Sequence, residues 1–354
     1  MKRFIKFVFI CIRITFWFIL IITLYLLIKD MSSRVVINIY DEAVILKHIN
    51  GFGMFISWSP DGRHIAFVKN SHIWIVQIDG KDAKNATRLT CDGLNNSPVW
   101  ISDKEIVFTS NLLNAPSNKF NLWTVDIYEK NAYPVIEDLE VDSWHLDVIP
   151  GTKKIICRVY ETDGKENRKC SFCIVDLDSK SINKISVPEG KIGNFCCSVD
   201  GGKVVYEVSN FLDRYGVTST HLWCTDLSTD KYYQLTFPID LPGIKRFEMF
   251  GEFGYDQFKP HILSCNRYIL YITRNRNLCY AKYQMIDWNG RVYRPIIIRN
   301  GKEISVYDIG YFFFSPYKEV LCFITGDYKN IKEIRLARYS ISKVGIFSKI
   351  RYTK

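Results

Sequence analysis

The stretch ISWSPDGRHIAFVKNSHIWIVQIDG, residues 56–80, decides the fold prediction. A short apolar run ends at Trp58 and is followed by the turn sequence Ser-Pro-Asp-Gly. Pro60 restrains φ at a turn position, and Gly62 accepts a positive φ that other residues resist. Two more apolar runs of strand length follow within the same stretch. The pattern predicts short antiparallel strands joined by tight turns.

This arrangement returns five more times along the chain, at intervals of 42 to 66 residues. One position near the end of the first strand aligns across all six units: Trp58, Trp100, Val148, Cys197, Leu263 and Phe314. Four short strands per unit at this period are typical of a propeller, in which like sheets pack around an axis. No sustained apolar period of 3.6 residues follows residue 50. We therefore predict an all-β, six-bladed β-propeller over residues 51–354.

The segments SWSPDGRHIAF, IWIVQIDG, RLT and NLWTVDI resemble the repeats of the TolB-like propeller family, which are also called WD40-like or PD40 repeats. The resemblance covers roughly residues 53–354 and is strongest in the first, second and fourth units. TolB also carries an α/β domain before its propeller, and we expect that domain to be missing here. The resemblance therefore implies the propeller fold more than it implies the TolB role.

Residues 1–30 are typical of a membrane anchor. Residues 14–28 carry no charge, and extending the segment to residues 4–28 admits only Lys6 and Arg13. A spanning helix needs roughly 20 apolar residues, and basic residues before it keep the N-terminus cytoplasmic. A cleaved signal peptide is the alternative, although no Ala-x-Ala-like site follows the run. We predict an N-terminal transmembrane helix that contacts the membrane and holds the propeller on the extracytoplasmic side, either periplasmic or extracellular.

Residues 31–50 connect this segment to the first unit. They contain the strand-like runs VVINIY at 35–40 and VIL at 44–46, which match no repeat. We predict a linker and a ring-closing strand that joins the blade formed by residues 308–347. A stalk lying on the surface is the alternative interpretation.

The net charge of +10 belongs to the two ends of the chain. Residues 1–34 carry +5 and residues 329–354 carry +7, which leaves −2 for the residues between them. A nucleic-acid-binding protein needs a basic stripe across its folded surface. The charge distribution therefore predicts no nucleic-acid partner.

Two of the six histidines, His145 and His261, begin the innermost strands of the third and fifth units. Some propeller lyases that act on uronic acids hold a metal with channel histidines, and Asp142, Asp147 and Asp256 are possible partners here. Such a site usually takes three N or O ligands and an open position. A divalent metal bound by His145 and His261 is therefore the basis of the alternative function, a metal-assisted polysaccharide (uronate) lyase or hydrolase. Solvated or hydrogen-bonded histidines are the simpler interpretation, and no cofactor is otherwise expected.

The leading prediction is a non-catalytic binding or scaffolding module. The sequence holds no Gly-x-Ser-x-Gly, P-loop or His-Glu-x-x-His pattern, so no catalytic set is predicted. The longest departure from the repeat, residues 238–258, is rich in aromatic residues. We predict that it binds a protein or glycan ligand on a loop face of the propeller through Phe247, Met249, Phe250, Phe253 and Tyr255. Covering the fifth blade is the alternative role for these side chains.

Overall fold

The computed structural model describes residues 13–25, 34–47, 52–79, 82–83, 86–114, 119–162, 168–212, 218–236, 255–275, 280–305, 311–315, 317–326 and 331–343. Within these ranges, residues 13–25 are α-helical and Leu112–Asn114 form a 3₁₀ turn. The remaining elements are strands, in chain order: β1 (Arg34–Lys47), β2 (Phe52–Trp58), β3 (His64–Lys69), β4 (His72–Asp79), β5 (Asp82–Ala83), β6 (Thr87–Arg88), β7 (Asn95–Trp100), β8 (Glu105–Ser110), β9 (Phe120–Asp126), β10 (Ala132–Val148), β11 (Lys154–Thr162), β12 (Arg168–Asp176), β13 (Ile182–Lys184), β14 (Lys191–Cys197), β15 (Lys203–Leu212), β16 (Thr218–Asp226), β17 (Lys231–Gln234), β18 (Tyr255–Ile262), β19 (Tyr268–Asn275), β20 (Tyr280–Asp287), β21 (Val292–Arg299), β22 (Lys302–Glu303), β23 (Tyr311–Phe314), β24 (Val320–Gly326) and β25 (Ile331–Lys343).

The described strands are hydrogen-bonded into four sheets, which contain nine, seven, five and four strands. The seven-stranded sheet holds two sequence units, because β10 pairs with β9 along its first part and with β11 along its second. The nine-stranded sheet also holds two units, because β1 pairs antiparallel with β25 and parallel with β21. The all-β propeller arrangement is present, but the prediction of six separate blades is wrong for these sheets. The physical reason is that strands continue from one unit into the hydrogen bonds of the next.

The turn seen in the quoted stretch recurs in all six units. Just after each first strand, a backbone N–H donates to a carbonyl at the start of the second strand, at 2.8–3.0 Å. Gly62 and Gly201 occupy the turn with φ of 67° and 71°, the left-handed region that suits glycine. In the fifth unit Asn266 replaces glycine at φ 49°, because asparagine tolerates this conformation better than other residues.

The hydrophobic core lies between neighbouring units rather than at one centre. Among the described residues there are six buried clusters, and each combines side chains of two consecutive units. One cluster joins the last unit to the first, packing Cys322 and Ile324 against Trp58, Ile65 and Phe67. Strands that are packed on both faces need apolar residues at consecutive positions. This explains why the second strands read as unbroken apolar runs.

Two tryptophans of the aligned position connect neighbouring units by the same hydrogen bond. The indole Nε1 of Trp100 donates to the carbonyl of Ser57 in the first unit, at 3.2 Å. The indole Nε1 of Trp58 donates to the carbonyl of Phe313 in the last unit, at 3.1 Å. The second bond therefore joins the first unit to the last, alongside the pairing of β1 with β25.

The prediction of an N-terminal transmembrane helix is wrong. In the part of the chain that the structure describes, no helix is both long enough and apolar enough to span a membrane. The membrane contact predicted for residues 4–28 has no support from the described helix at residues 13–25.

Candidate binding site at the mouth of the central cavity

The first strand of each of the first five units carries a β-bulge. In each case the first strand holds more residues than its partner strand between two paired positions. The residues within the five bulges are 53–55, 97–98, 142–145, 193–194 and 259–260. A bulge bends its strand and re-aims the side chains next to it, and bulges are frequent beside functional sites.

These bulges surround one end of a cavity on the axis of the ring. The cavity has a volume of about 310 Å³ and is lined by the first strands of all six units. We call the bulge residues that line it the channel mouth: Phe55, Ser97, Pro98, Trp144, His145, Asn194, Lys259 and Pro260. Most of the remaining wall is aromatic or aliphatic, including Trp58, Phe195 and Phe314. An apolar cavity with a few convergent polar groups is the usual form of a ligand site.

Arg158 ties the bulge of the third unit to that of the fourth. It lies on β11, directly across from the bulge of β10, and its Nη2 forms an ion pair with Asp142 at 3.2 Å. Its Nη1 donates to the carbonyl of Ile192 at 2.7 Å, at the start of the next bulge. Tyr160 also donates its hydroxyl to Asp142, at 3.1 Å. Asp142 therefore helps to hold the mouth together.

Glu207 plays the corresponding part between the fourth and fifth units. This carboxylate is only 6% exposed. Its Oε1 accepts hydrogen bonds from the backbone N–H of Lys259 at 2.6 Å and from the side-chain amide of Asn194 at 2.8 Å. A Cβ at Gly193 would clash with both the Oε2 and the Cβ of Glu207, so glycine lets the bulge approach the carboxylate. Burial raises the pKa of Glu207 above its usual value, against the effect of these hydrogen bonds.

His145 has a defined tautomer. Its Nε2 lies 2.8 Å from the carbonyl of Phe195, which can only accept, so Nε2 carries the proton and Nδ1 is an acceptor. The ring contacts Phe195 edge to face at 4.4 Å between centroids. Burial and the nearby charge of Arg158 lower the pKa of His145 to about 4. The imidazole is therefore neutral at physiological pH.

His261 and Asp147 also line the cavity. Burial and the charge of Lys259 lower the pKa of His261 to about 4, and its ring lies 6.2 Å from that of Phe314. Both oxygens of Asp147 accept backbone hydrogen bonds, from Val148 at 2.8 Å and from Cys197 at 2.7 Å. Burial nevertheless raises the pKa of Asp147 to about 6. The carboxylate thus connects the third unit to the fourth.

The structure brings the two predicted histidines, His145 and His261, to the same cavity. Within the described ranges, no group of three His, Cys, Asp or Glu side chains is placed to hold a metal ion. The side chain of Asp256 is not among those described. A divalent metal held by His145 and His261 stays a prediction without support from a third ligand.

The aromatic insertion lies mostly outside the described residues. Four of the predicted ligand-binding residues are not among the described ones: Phe247, Met249, Phe250 and Phe253. The contacts predicted between them and a ligand therefore stay predictions. Tyr255 begins β18, where its backbone pairs with Asn275. The insertion leads directly into the strand that supplies Lys259 and Pro260 to the channel mouth.

Sequence reasoning missed the most exposed aromatic residue of the mouth. Trp144 is 63% exposed, although large apolar side chains are usually covered. Its backbone N–H donates to Asp142 at 2.8 Å, which fixes the local turn within the bulge. Phe55 and Phe195 flank His145 on two sides. In this unit, residues 142–145 of the stretch EVDSWHLDV at 140–148 lie opposite the single residue Arg158, a mismatch that depends on the pairing of the two strands and leaves no local signal.

One family model matches part of the sequence, that of the dipeptidyl peptidase IV (DPP IV) N-terminal region, over residues 22–192. This is less than half of the chain. A sequence comparison with curated proteins found no match.

Several solved structures share the fold. A putative TolB from Agrobacterium tumefaciens is 12% identical, with 87% of this chain and 99% of that chain covered at a TM-score of 0.51. TolB from Acinetobacter baumannii is 13% identical, covering 81% of this chain and 63% of that chain at 0.47. An oligogalacturonate lyase from Vibrio parahaemolyticus is 9% identical, covering 86% and 97% at 0.49. At these identities the likeness concerns the fold, and the chain is a β-propeller that resembles TolB-like propellers.

Proposed function

We propose that this propeller is a non-catalytic binding module that takes its ligand at the channel mouth. The observation that supports this most is the convergence of five bulges, from five different units, on one end of one cavity. Each bulge interrupts the hydrogen-bonded pairing of two strands and so lowers stability. Five bulges at one end are therefore more consistent with a functional site than with a purely structural ring. Buried polar groups such as Arg158 and Glu207 then hold the bulges in position.

The lining of the mouth indicates the kind of ligand. Trp144 and Phe55 offer aromatic surface, while Asn194 and the Nδ1 acceptor of His145 offer a few polar contacts. Exposed tryptophan in a site of this kind is typical of an anchor for a partner's apolar group. The ligand we propose is a segment of a protein or glycan that places an apolar or ring-shaped group on Trp144. The aromatic insertion before β18 would extend the same surface.

A site-specific cross-linking experiment tests the proposal. A photo-reactive amino acid replaces Trp144 in one variant and Tyr128 in another, because Tyr128 is 69% exposed on the β9–β10 turn and does not line the cavity. After irradiation in cells of the source organism, we expect a discrete adduct from position 144 and none from position 128. The adduct should disappear when excess unlabelled protein competes, but not when the competitor carries Trp144→Ala.

Two results would contradict the proposal. One is equal cross-linking from both positions, which would indicate random encounters. The other is turnover of a uronate polysaccharide by metal-loaded protein that is lost in His145→Ala, which would establish the lyase alternative. The extracytoplasmic location stays a prediction, to be checked by fractionating cells that express the full chain.

A further inference from the structure

A second depression lies outside the central cavity, where the last unit meets the first. This seam groove has a volume of about 470 Å³. Its charged lining residues are Asp41 on β1, Arg63 in the first turn of unit one, Lys318 in the turn between β23 and β24, and Arg338 on β25. Four separate segments of the chain therefore supply one patch, which holds three cations and one carboxylate. We propose that the seam groove binds a small polyvalent oxyanion of the phosphate type.

Arg63 carries the argument because its guanidinium has donors to offer. Its side chain is exposed, and among the described residues it makes no hydrogen bond and no ion pair within 4.0 Å. Guanidinium groups present several N–H donors in a planar fork that matches phosphate oxygens. A phosphate oxygen in the groove would supply the acceptors that the protein does not.

The other charges leave the groove positive. Arg338 reaches Asp41 only at 3.8 Å and its side chain is 66% exposed, so this pair is long and solvated. Lys318 donates through Nζ to the backbone carbonyl of Asp61 at 2.5 Å, which holds the ammonium at the edge of the groove without neutralising it. The Asp61 carboxylate accepts from the Ser59 hydroxyl at 2.6 Å and from the backbone N–H of Arg63 at 2.8 Å, inside its own turn, and it offsets part of the Arg63 charge without forming an ion pair with it. An anion in the groove would meet a positive field.

The position of the groove gives the binding a structural consequence. Arg63 belongs to the first unit, whereas Lys318 and Arg338 belong to the last. An oxyanion that contacts both would hold together the seam at which the ring closes, beside the bond from Trp58 to Phe313. Because this geometry exists only in the folded ring, the anion should stabilise the folded state by mass action.

Thermal unfolding in phosphate tests the proposal. The melting temperature is measured at fixed pH while phosphate replaces chloride at constant ionic strength. For the unaltered protein we expect a rise of roughly 2–4 °C once phosphate is about tenfold above its dissociation constant. Arg63→Gln should reduce the rise, and Arg63→Gln with Arg338→Gln should abolish it. The matched control is Lys191→Gln with Lys231→Gln, two exposed lysines of unit four, which removes the same charge and should keep the full rise.

The single variant keeps the test decisive if the double variant folds poorly, because the described Arg63 side chain makes no hydrogen bond or close ion pair that the substitution would break. Equal rises in all variants would mean a general salt effect and would overturn the proposal, as would no rise in the unaltered protein. A parallel arm measures co-sedimentation with phosphatidylglycerol vesicles. Sedimentation that depends on Arg63 and Arg338 would assign the phosphate to a lipid headgroup, and a phosphate response without sedimentation would assign it to a free anion.

Discussion

Replacing Glu207 with alanine removes the carboxylate that joins two bulges of the channel mouth. Its Oε1 accepts from the Lys259 N–H at 2.6 Å and from the Asn194 amide at 2.8 Å. Asn194 is exposed, so water can replace its bond in the variant. The Lys259 N–H is left without its acceptor, and an orphaned buried donor costs roughly 1–3 kcal/mol. We therefore expect Glu207→Ala to lower the free energy of unfolding by about 2 kcal/mol.

Glu207→Gln distinguishes the acceptor from the charge. The glutamine carbonyl can occupy the position of Oε1 and accept both hydrogen bonds. Burial raises the pKa of Glu207, which means that the folded protein disfavours the charged form. We expect Glu207→Gln to change the free energy of unfolding by less than about 1 kcal/mol. In the unaltered protein, ionisation of Glu207 lowers stability as pH rises through the pKa of the folded state, and this pH dependence should be absent in Glu207→Gln.

The assay is urea unfolding followed by tryptophan fluorescence, together with hydrogen exchange at the Lys259 amide. Exchange at this amide should be faster in Glu207→Ala and unchanged in Glu207→Gln. Glu189→Ala, an exposed carboxylate just before β14, serves as the control and should leave both measurements unchanged. The reasoning is refuted if Gln destabilises as much as Ala, or if the Lys259 amide exchanges at the same rate in all three variants.

Three further outcomes follow from the same structure. Trp58→Phe removes the indole donor that joins the first unit to the last and should cost about 1 kcal/mol in urea unfolding; an unchanged midpoint would show that this bond adds nothing to ring closure. Glu42→Ala removes a 7% exposed carboxylate that pairs with two arginines of the last two units and should cost about 2 kcal/mol, whereas a loss within error would mean that solvent satisfies both arginines. The pKa values of His145 and His261 are lowered to about 4, so the unfolded chain binds two protons that the folded chain does not, and stability should fall as pH falls from about 6.5 to about 4. The raised pKa of Asp147 has the opposite effect on stability, because the folded chain keeps this proton to a higher pH than the unfolded chain does. His261→Asn should make the free energy of unfolding depend less steeply on pH. An equally steep dependence in that variant would contradict the assignment.

The repeating parts of the fold were predictable because they depend on local chemistry. The turn after Trp58 needs Pro60 and Gly62 whatever the rest of the chain does, and Gly201 repeats the same φ in the fourth unit. Apolar runs on the second strands follow from packing on both faces. The aligned position, from Trp58 to Phe314, lies where the first strand ends or just beyond it in every unit.

Other features were wrong or missed because they depend on distant partners. The structure has four sheets instead of the six predicted blades because β10 and β1 each pair with strands of two units. No local sequence pattern indicates such pairing. The N-terminal transmembrane helix was predicted from hydropathy alone, whereas the described part of the chain contains no helix that is long and apolar enough to span a membrane. The contacts of Asp142 with Arg158 and Tyr160 were missed, because both partners lie on the neighbouring strand β11.

The sequence by itself determined the turns, the strand alternation and the order of the units, since each depends on residues a few positions apart. Only the tertiary structure decided which residues lie at the mouth of the cavity. A bulge forms when one strand holds more residues than its partner between two paired positions, and five such bulges line one cavity only because the five strands meet around an axis. The exposed Trp144 beside the cavity and the buried Glu207 that joins two bulges can be identified only from the structure, because residues about fifty positions apart in the chain are neighbours in the ring.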